Sequence, residues 1–303
     1  MELYRTINNV SCRLINWGNP FSSDGCDVIL CITGNPGIID FYYEFCSALH
    51  QSTELPLCLI GQAGHEIIPN ETHMELKGNE HLFDLQGQIE HKLYLINYFI
   101  DKRSKLHLVG HSIGAWLILE CIQKHPSIKD RIVSINLLFP TIQQMAITKN
   151  GRYVNNVLRK LKSLIIAFLV VLNMLPSSIL HFFASIYLKL NDLPFQYAER
   201  VLKYINPNII RKVLFLAFCE MDQVTKLNTQ AIRKIENLVN IIYGENDGWV
   251  PLNYIEEWKL LLPTVNMTKV PIAHEFVLKS SEKVAEMVSN FIKTKSQVNL
   301  FST

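Results

Sequence analysis

Charge is scarce in this 303-residue chain: 18% of residues are Asp, Glu, Lys or Arg, against 49% hydrophobic. The formal net charge of +2 is too small an excess to make a case for nucleic-acid binding. Paired cysteine motifs are missing too. The seven cysteines are an odd number with no C-x-x-C spacing, and several lie in apolar runs. They read as reduced, buried thiols in a cytosol-facing protein. Without an H-E-x-x-H sequence or Cys/His ligand spacing, a metal hydrolase is not expected, and no cofactor is called for. Met1-Glu2-Leu3-Tyr4-Arg5 shows no basic segment leading into an apolar run, so no signal peptide is expected, and the sequons at Asn9, Asn70 and Asn266 read as chance matches. Internal repeats and low-complexity tracts are absent.

What the chain does contain is an alternation of short apolar runs and helical patterns. Val28–Thr33, Leu57–Ile60, Leu106–Val109, Ile132–Phe139, Leu238–Tyr243 and Met267–Val270 read as strands. Continuous apolar runs of this length suit parallel strands covered on both faces by helices. Helical spacing marks Asp40–Leu49, Leu85–Ile100, the stretch after Ser112, and residues 282–292. Residues 1–27 supply one or two leading strands. The rhythm predicts a doubly wound, mostly parallel α/β sheet. It breaks only once, giving a core from residues 1–140 and 236–303 and a helical insertion from 141–235.

The stretch around Gly110-His111-Ser112-Ile113-Gly114 carries the chemistry. A Gly-x-Ser-x-Gly sequence between a strand and a helix lifts a serine on a tight turn, next to a helix N-terminus that favours negative charge. A serine needs a base held by a carboxylate, and on this layout both follow it in the order Ser, Asp, His. Asp247, in the loop Gly244–Pro251 after a strand, is the chosen acid, with Glu245 its neighbouring competitor and Asp222 a more distant one. Of ten histidines, His274 alone follows that loop, which makes it the base. The oxyanion donors would be the backbone N–H groups of Ile113 and of the Gly34-Asn35-Pro36-Gly37 loop. Pro36 has no N–H, so Asn35 is preferred and Gly34 comes second.

No Asp, Glu, Lys or Arg occurs from Ser163 to Leu188. Asn173, Pro176, Ser177, Ser178 and His181 divide this run into two pieces of about 12 residues. Each would be about 18 Å long as a helix, against a hydrocarbon core of about 30 Å. The pattern predicts a hairpin entering one leaflet or a monolayer, with Arg159, Lys160, Lys162 and Lys189 at the headgroups. The other reading is a hydrolase cap lining an acyl pocket, and the two are compatible.

The Gly34–Gly37 loop followed by Phe41-Tyr42, the elbow at Ser112, and His274 with Phe276 one residue later together resemble the lipid-droplet-associated hydrolases. The likeness covers nearly the whole chain. It implies an α/β-hydrolase fold, a Ser112 nucleophile, residence on lipid droplets and the endoplasmic reticulum, and action on neutral lipid esters, including cholesteryl esters. Glu275 departs from the alanine the family tends to have beside its histidine. A droplet-bound recruiting protein with an idle triad is the competing expectation, and acyl transfer would use the same residues as hydrolysis.

Overall fold

The computed structural model describes residues 1–300, so the end of the 236–303 core segment lies outside the described residues. The strands are β1 (Glu2–Ile7), β2 (Val10–Trp17), β3 (Val28–Ile32), β4 (Leu57–Ile60), β5 (Leu106–His111), β6 (Ile132–Leu138), β7 (Val239–Gly244) and β8 (Asn266–Val270). They form one sheet in the order β1-β2-β4-β3-β5-β6-β7-β8. β2 runs antiparallel to both β1 and β4, and every other pairing is parallel.

The helices, in chain order, are α1 (Tyr43–Thr53), α2 (Glu80–Phe83), α3 (Leu85–Tyr98), α4 (Ile113–Lys124), α5 (Lys149–Tyr153), α6 (Arg159–Leu172), α7 (Ser177–Leu190), α8 (Ala198–Leu202), α9 (Pro207–Gln223), α10 (Thr229–Arg233), α11 (Leu252–Leu261) and α12 (Ser281–Leu300). Two cores result, one on each side of the sheet, because successive strand residues point to opposite faces. Leu30 and Ile32 pack with Leu93 of α3, Ile118 of α4 and Trp258 of α11. Ile29 and Cys31 pack on the other side with Phe45 and Leu49 of α1 and Val284 and Val288 of α12. Burying one such aliphatic or aromatic side chain contributes about 1.5–3 kcal/mol, so strands apolar on both faces are driven to the centre of the sheet.

Between β6 and β7 the chain is helical, built on local signals. Asn206 caps α9 by accepting from the N–H groups of Asn208 and Ile209, and Pro207 occupies the first helical position, where its missing N–H costs nothing. The charge-free run lies in α6 and α7, helices of 14 residues each that extend beyond it through Arg159–Lys162 and Lys189–Leu190. Only Asn173–Pro176 interrupts it. Ser177, Ser178 and His181 belong to α7, where Ser177 Oγ and its carbonyl hydrogen-bond His181 Nδ1 within the first turn. Among the described residues no helix is long and apolar enough to cross a membrane.

Register decides what meets at the sheet's C-terminal edge. Gly110 lies opposite Leu137, Leu138 opposite Ile242, and Gly244 opposite Val270. The loops after β5, β6, β7 and β8 therefore emerge side by side, where parallel sheets carry their ligands.

Candidate active site

Ser112 follows β5 directly and adopts φ 54° and ψ −121°, a conformation that costs a non-glycine residue about 1–3 kcal/mol. Its neighbours explain how the turn holds. A Cβ on Gly110 would lie 2.7 Å from the Gly114 carbonyl, and one on Gly114 would lie 2.6 Å from the Ile32 carbonyl oxygen. Only glycine fits at both points. The strained residue is fixed by its own backbone: Ser112 N–H donates to Leu138 O at 3.0 Å, while Ser112 O accepts from Ala115 and Thr141 N–H.

Asp247 and His274 come from the loops after β7 and β8. The Asp247 side chain is fully buried, and its Oδ1 accepts from the N–H groups of Trp249 (2.7 Å) and Val250 (3.3 Å). Those bonds turn Oδ2 toward His274 Nδ1, 2.8 Å away. With Nδ1–H donating to the carboxylate, Nε2 is left as an acceptor, and it lies 3.0 Å from Ser112 Oγ. Chain order thus became a continuous Ser–His–Asp line. The competing acids lie elsewhere. Glu245 pairs with Lys269 at the surface at 3.0 Å, and Asp222 on α9 pairs with Arg159 at 2.8 Å. Glu275 is exposed at the edge of the cavity and pairs with nothing among the described residues.

The loop of Gly34 and Asn35 reaches the same edge. Gly34 N–H donates to the Tyr42 hydroxyl at 2.8 Å, and that hydroxyl contacts His111 Nδ1 at 2.6 Å. The His274 carbonyl facing His111 Nε2 can only accept, so in the neutral ring Nε2 carries the proton and Nδ1 accepts from the Tyr42 hydroxyl. His111 Nε2–H then donates to the His274 carbonyl at 3.0 Å. Burial, together with the nearby His274 ring, holds the His111 pKa well below its ordinary value, so the ring is neutral, as this arrangement requires. One relay therefore ties the loop after β3, the elbow and the histidine loop together. It also commits the Gly34 N–H. The N–H groups of Asn35 and Ile113 donate to no acceptor among the described residues, which favours Asn35 over Gly34 as a free donor.

Ser112, His274, Asn35 and Tyr42 open onto a cavity of about 640 Å³. Its walls are apolar: Phe41 and Val277 from the core, and Val154, Leu158, Val201 and Leu214 from the insertion. A cavity of this size and lining takes an apolar ligand of drug size or the acyl part of a larger one. Among the described residues, no three His, Cys, Asp or Glu side chains converge as a metal site.

The sequence model of the family described as "Lipid-droplet associated hydrolase" matches residues 26–277. The chain belongs to the lipid-droplet-associated hydrolase family. Similarity extends over almost the full length of the member from Drosophila melanogaster, at 35% identity over 98% of this chain and 99% of that one. The Homo sapiens member is 27% identical over 88% of this chain and 84% of its own. Among solved structures, the enol-lactonase of Burkholderia xenovorans superposes with a TM-score of 0.63 at 14% identity, covering 96% of this chain and all of that one. A thermophilic esterase from Thermogutta terrifontis gives 0.59 at 13% identity, covering 97% and 99%. At these identities the likeness shows the fold, which is that of the α/β-hydrolases.

Three residues of this family member escaped the sequence reading. His111 stands inside the elbow, and Tyr42 enters the sequence reading only beside Phe41 in the family resemblance. Nothing local signals that they bridge the Gly34–Asn35 loop to the His274 loop. Glu220 was invisible for a stronger reason: it sits on α9, 185 residues from the Asn35 side chain it contacts.

Proposed function

We propose that this chain is a serine ester hydrolase acting on neutral lipid esters, cholesteryl esters included, at the surface of lipid droplets and the endoplasmic reticulum. One observation carries the reading: the Ser112–His274–Asp247 hydrogen-bonded line ends in a large apolar cavity. Ser112 Oγ attacks the ester carbonyl while its proton passes to His274 Nε2, and Asp247 stabilises the imidazolium so formed. The N–H groups of Ile113 and Asn35 receive the oxyanion. His274 then returns the proton to the departing alcohol, leaving an acyl group on Ser112. Water, deprotonated by the same ring, attacks that ester and releases the acid. Purified protein incubated with a fluorophosphonate should be labelled in the wild type and not in S112A. Emulsified cholesteryl and glyceryl esters should be cleaved only by the wild type. Absence of Ser112-dependent labelling and turnover sinks the proposal.

The insertion supports the location. Leu161, Leu164, Phe168 and Val171 form an exposed stripe along α6, and Ile179, Phe182, Phe183, Ile186 and Leu190 form one along α7. A 14-residue helix is about 21 Å long, short of a bilayer core, so each suits a helix lying in a monolayer, α6 packed on α9 and α7 on α8. Lys160 and Lys189 are exposed for headgroup contact, whereas Arg159 is held by Asp222 and the Phe218 ring. These same stripes favour a second reading, a droplet-bound recruiting protein. In that case S112A would preserve the cellular effect on droplets, and removal of 163–188 would abolish it.

A further inference from the structure

The reaction above leaves one buried acid on the cavity wall without a task. Glu220, on α9, is 4% exposed and borders the cavity beside Ala217 and Asn35. Its Oε1 accepts from Asn35 Nδ2 at 2.9 Å, and the same nitrogen donates to Val213 O at 3.2 Å. Since Val213 O can only accept, the amide orientation is fixed with its NH₂ group toward α9. Asn35 Oδ1 is buried without a partner, so these two bonds are its side chain's whole tether among the described residues. Asn35 sits in a loop, not in a strand or helix, and its backbone N–H is free. A donor on such a loop stabilises charge only if something holds it at the right place beforehand.

The protonation state of Glu220 agrees with such a role. Burial in an apolar wall pushes the carboxyl up to about 8, against the smaller opposing pull of the Asn35 hydrogen bond. Near neutral pH it is therefore mostly the neutral acid. It offers Asn35 an acceptor without placing a full negative charge beside the position where the oxyanion forms.

We propose that Glu220 is a positioning residue: by holding the Asn35 side chain it fixes the Asn35 backbone N–H for the oxyanion and makes α9 part of that machinery. This rests on the serine-hydrolase reading given above. Glu220 touches no reacting atom and acts only through Asn35.

The test is steady-state hydrolysis of p-nitrophenyl butyrate by the full chain as wild type, S112A, E220L, E220Q, N35A and N35A/E220L. E220L should lower kcat about 10- to 100-fold, short of the 10²–10³ for a deleted oxyanion donor, with KM within about twofold. E220Q, which keeps an oxygen for Asn35 Nδ2, should recover most of that loss. N35A should resemble E220L, and the double variant should be no worse than either, because the two residues act as one unit. Equal kcat in wild type and E220L, a change confined to KM, or losses that multiply in the double variant would each overturn the proposal. If E220L does not fold, N35A and E220Q still decide it: an N35A rate equal to wild type, or an E220Q rate near zero, overturns it. Wild-type turnover that persists in S112A removes instead the reading on which the proposal stands.

Discussion

Asp247→Asn separates the charge of the acid from its shape. In the native site Oδ1 is taken by the N–H groups of Trp249 and Val250, and Oδ2 faces His274. An amide placed there has one oxygen and one NH₂, and it must choose. Pointing NH₂ at the two backbone donors breaks two hydrogen bonds and buries donors against donors, costing about 2–4 kcal/mol. Pointing NH₂ at His274 costs only a change of tautomer, so that orientation wins. His274 Nδ1 must then accept, its proton moves to Nε2, and the ring can no longer take the Ser112 proton. A wrong tautomer with intact geometry lowers kcat by about 10⁴, or about 5.5 kcal/mol. The turn keeps its backbone bonds, so the thermal midpoint should move by no more than a few degrees. The assay is p-nitrophenyl butyrate hydrolysis, paired with thermal unfolding, for D247N and for E245Q. Glu245 lies at the surface on Lys269, so E245Q should stay within about twofold of wild type. A D247N enzyme with more than a tenth of wild-type kcat, or an E245Q loss of similar depth, refutes the reasoning.

Other expectations follow from the same geometry. G114A sets a Cβ 2.6 Å from the Ile32 carbonyl oxygen and 2.7 Å from that of Thr33, backbone atoms with little room to give. It should destabilise the protein by about 1–3 kcal/mol in urea unfolding, and an unchanged midpoint would contradict the packing of the elbow. Glu220 titrates at about 8 when folded, against an ordinary value of 4.5. A raised acid favours the folded state fully below about pH 4.5, and that contribution is lost as pH climbs through about 8. The thermal midpoint of E220Q relative to wild type should therefore rise from pH 5 to pH 9, and a constant difference would argue against a buried neutral acid. Replacing the exposed Phe168, Phe182 and Phe183 by serine should weaken binding to oil-core emulsions at least tenfold, since each inserted ring is worth up to about 1.5–3 kcal/mol. Flotation of the triple variant equal to wild type would remove α6 and α7 as the docking face.

The linear pattern by itself determined the fold class, because buried parallel strands need unbroken apolar runs and a serine elbow needs glycines on both sides. It also determined the chain order of Ser112, Asp247 and His274, since loops at strand ends are legible one at a time. Helix ends were less legible: Ser177, Ser178 and His181 looked like a break but fit inside the first turns of α7, where Pro176 sets the start. Tertiary structure alone decided which carboxylate faces His274. Asp247 and Glu245 are two residues apart, and only the hydrogen bonds of Trp249 and Val250 to one, and of Lys269 to the other, distinguish them. It likewise decided that Gly34 spends its N–H on Tyr42, and that Glu220 crosses 185 residues to hold Asn35. Apolar periodicity is a local property of the chain, whereas the partner of a buried polar group depends on which distant loops the sheet register brings to the same edge.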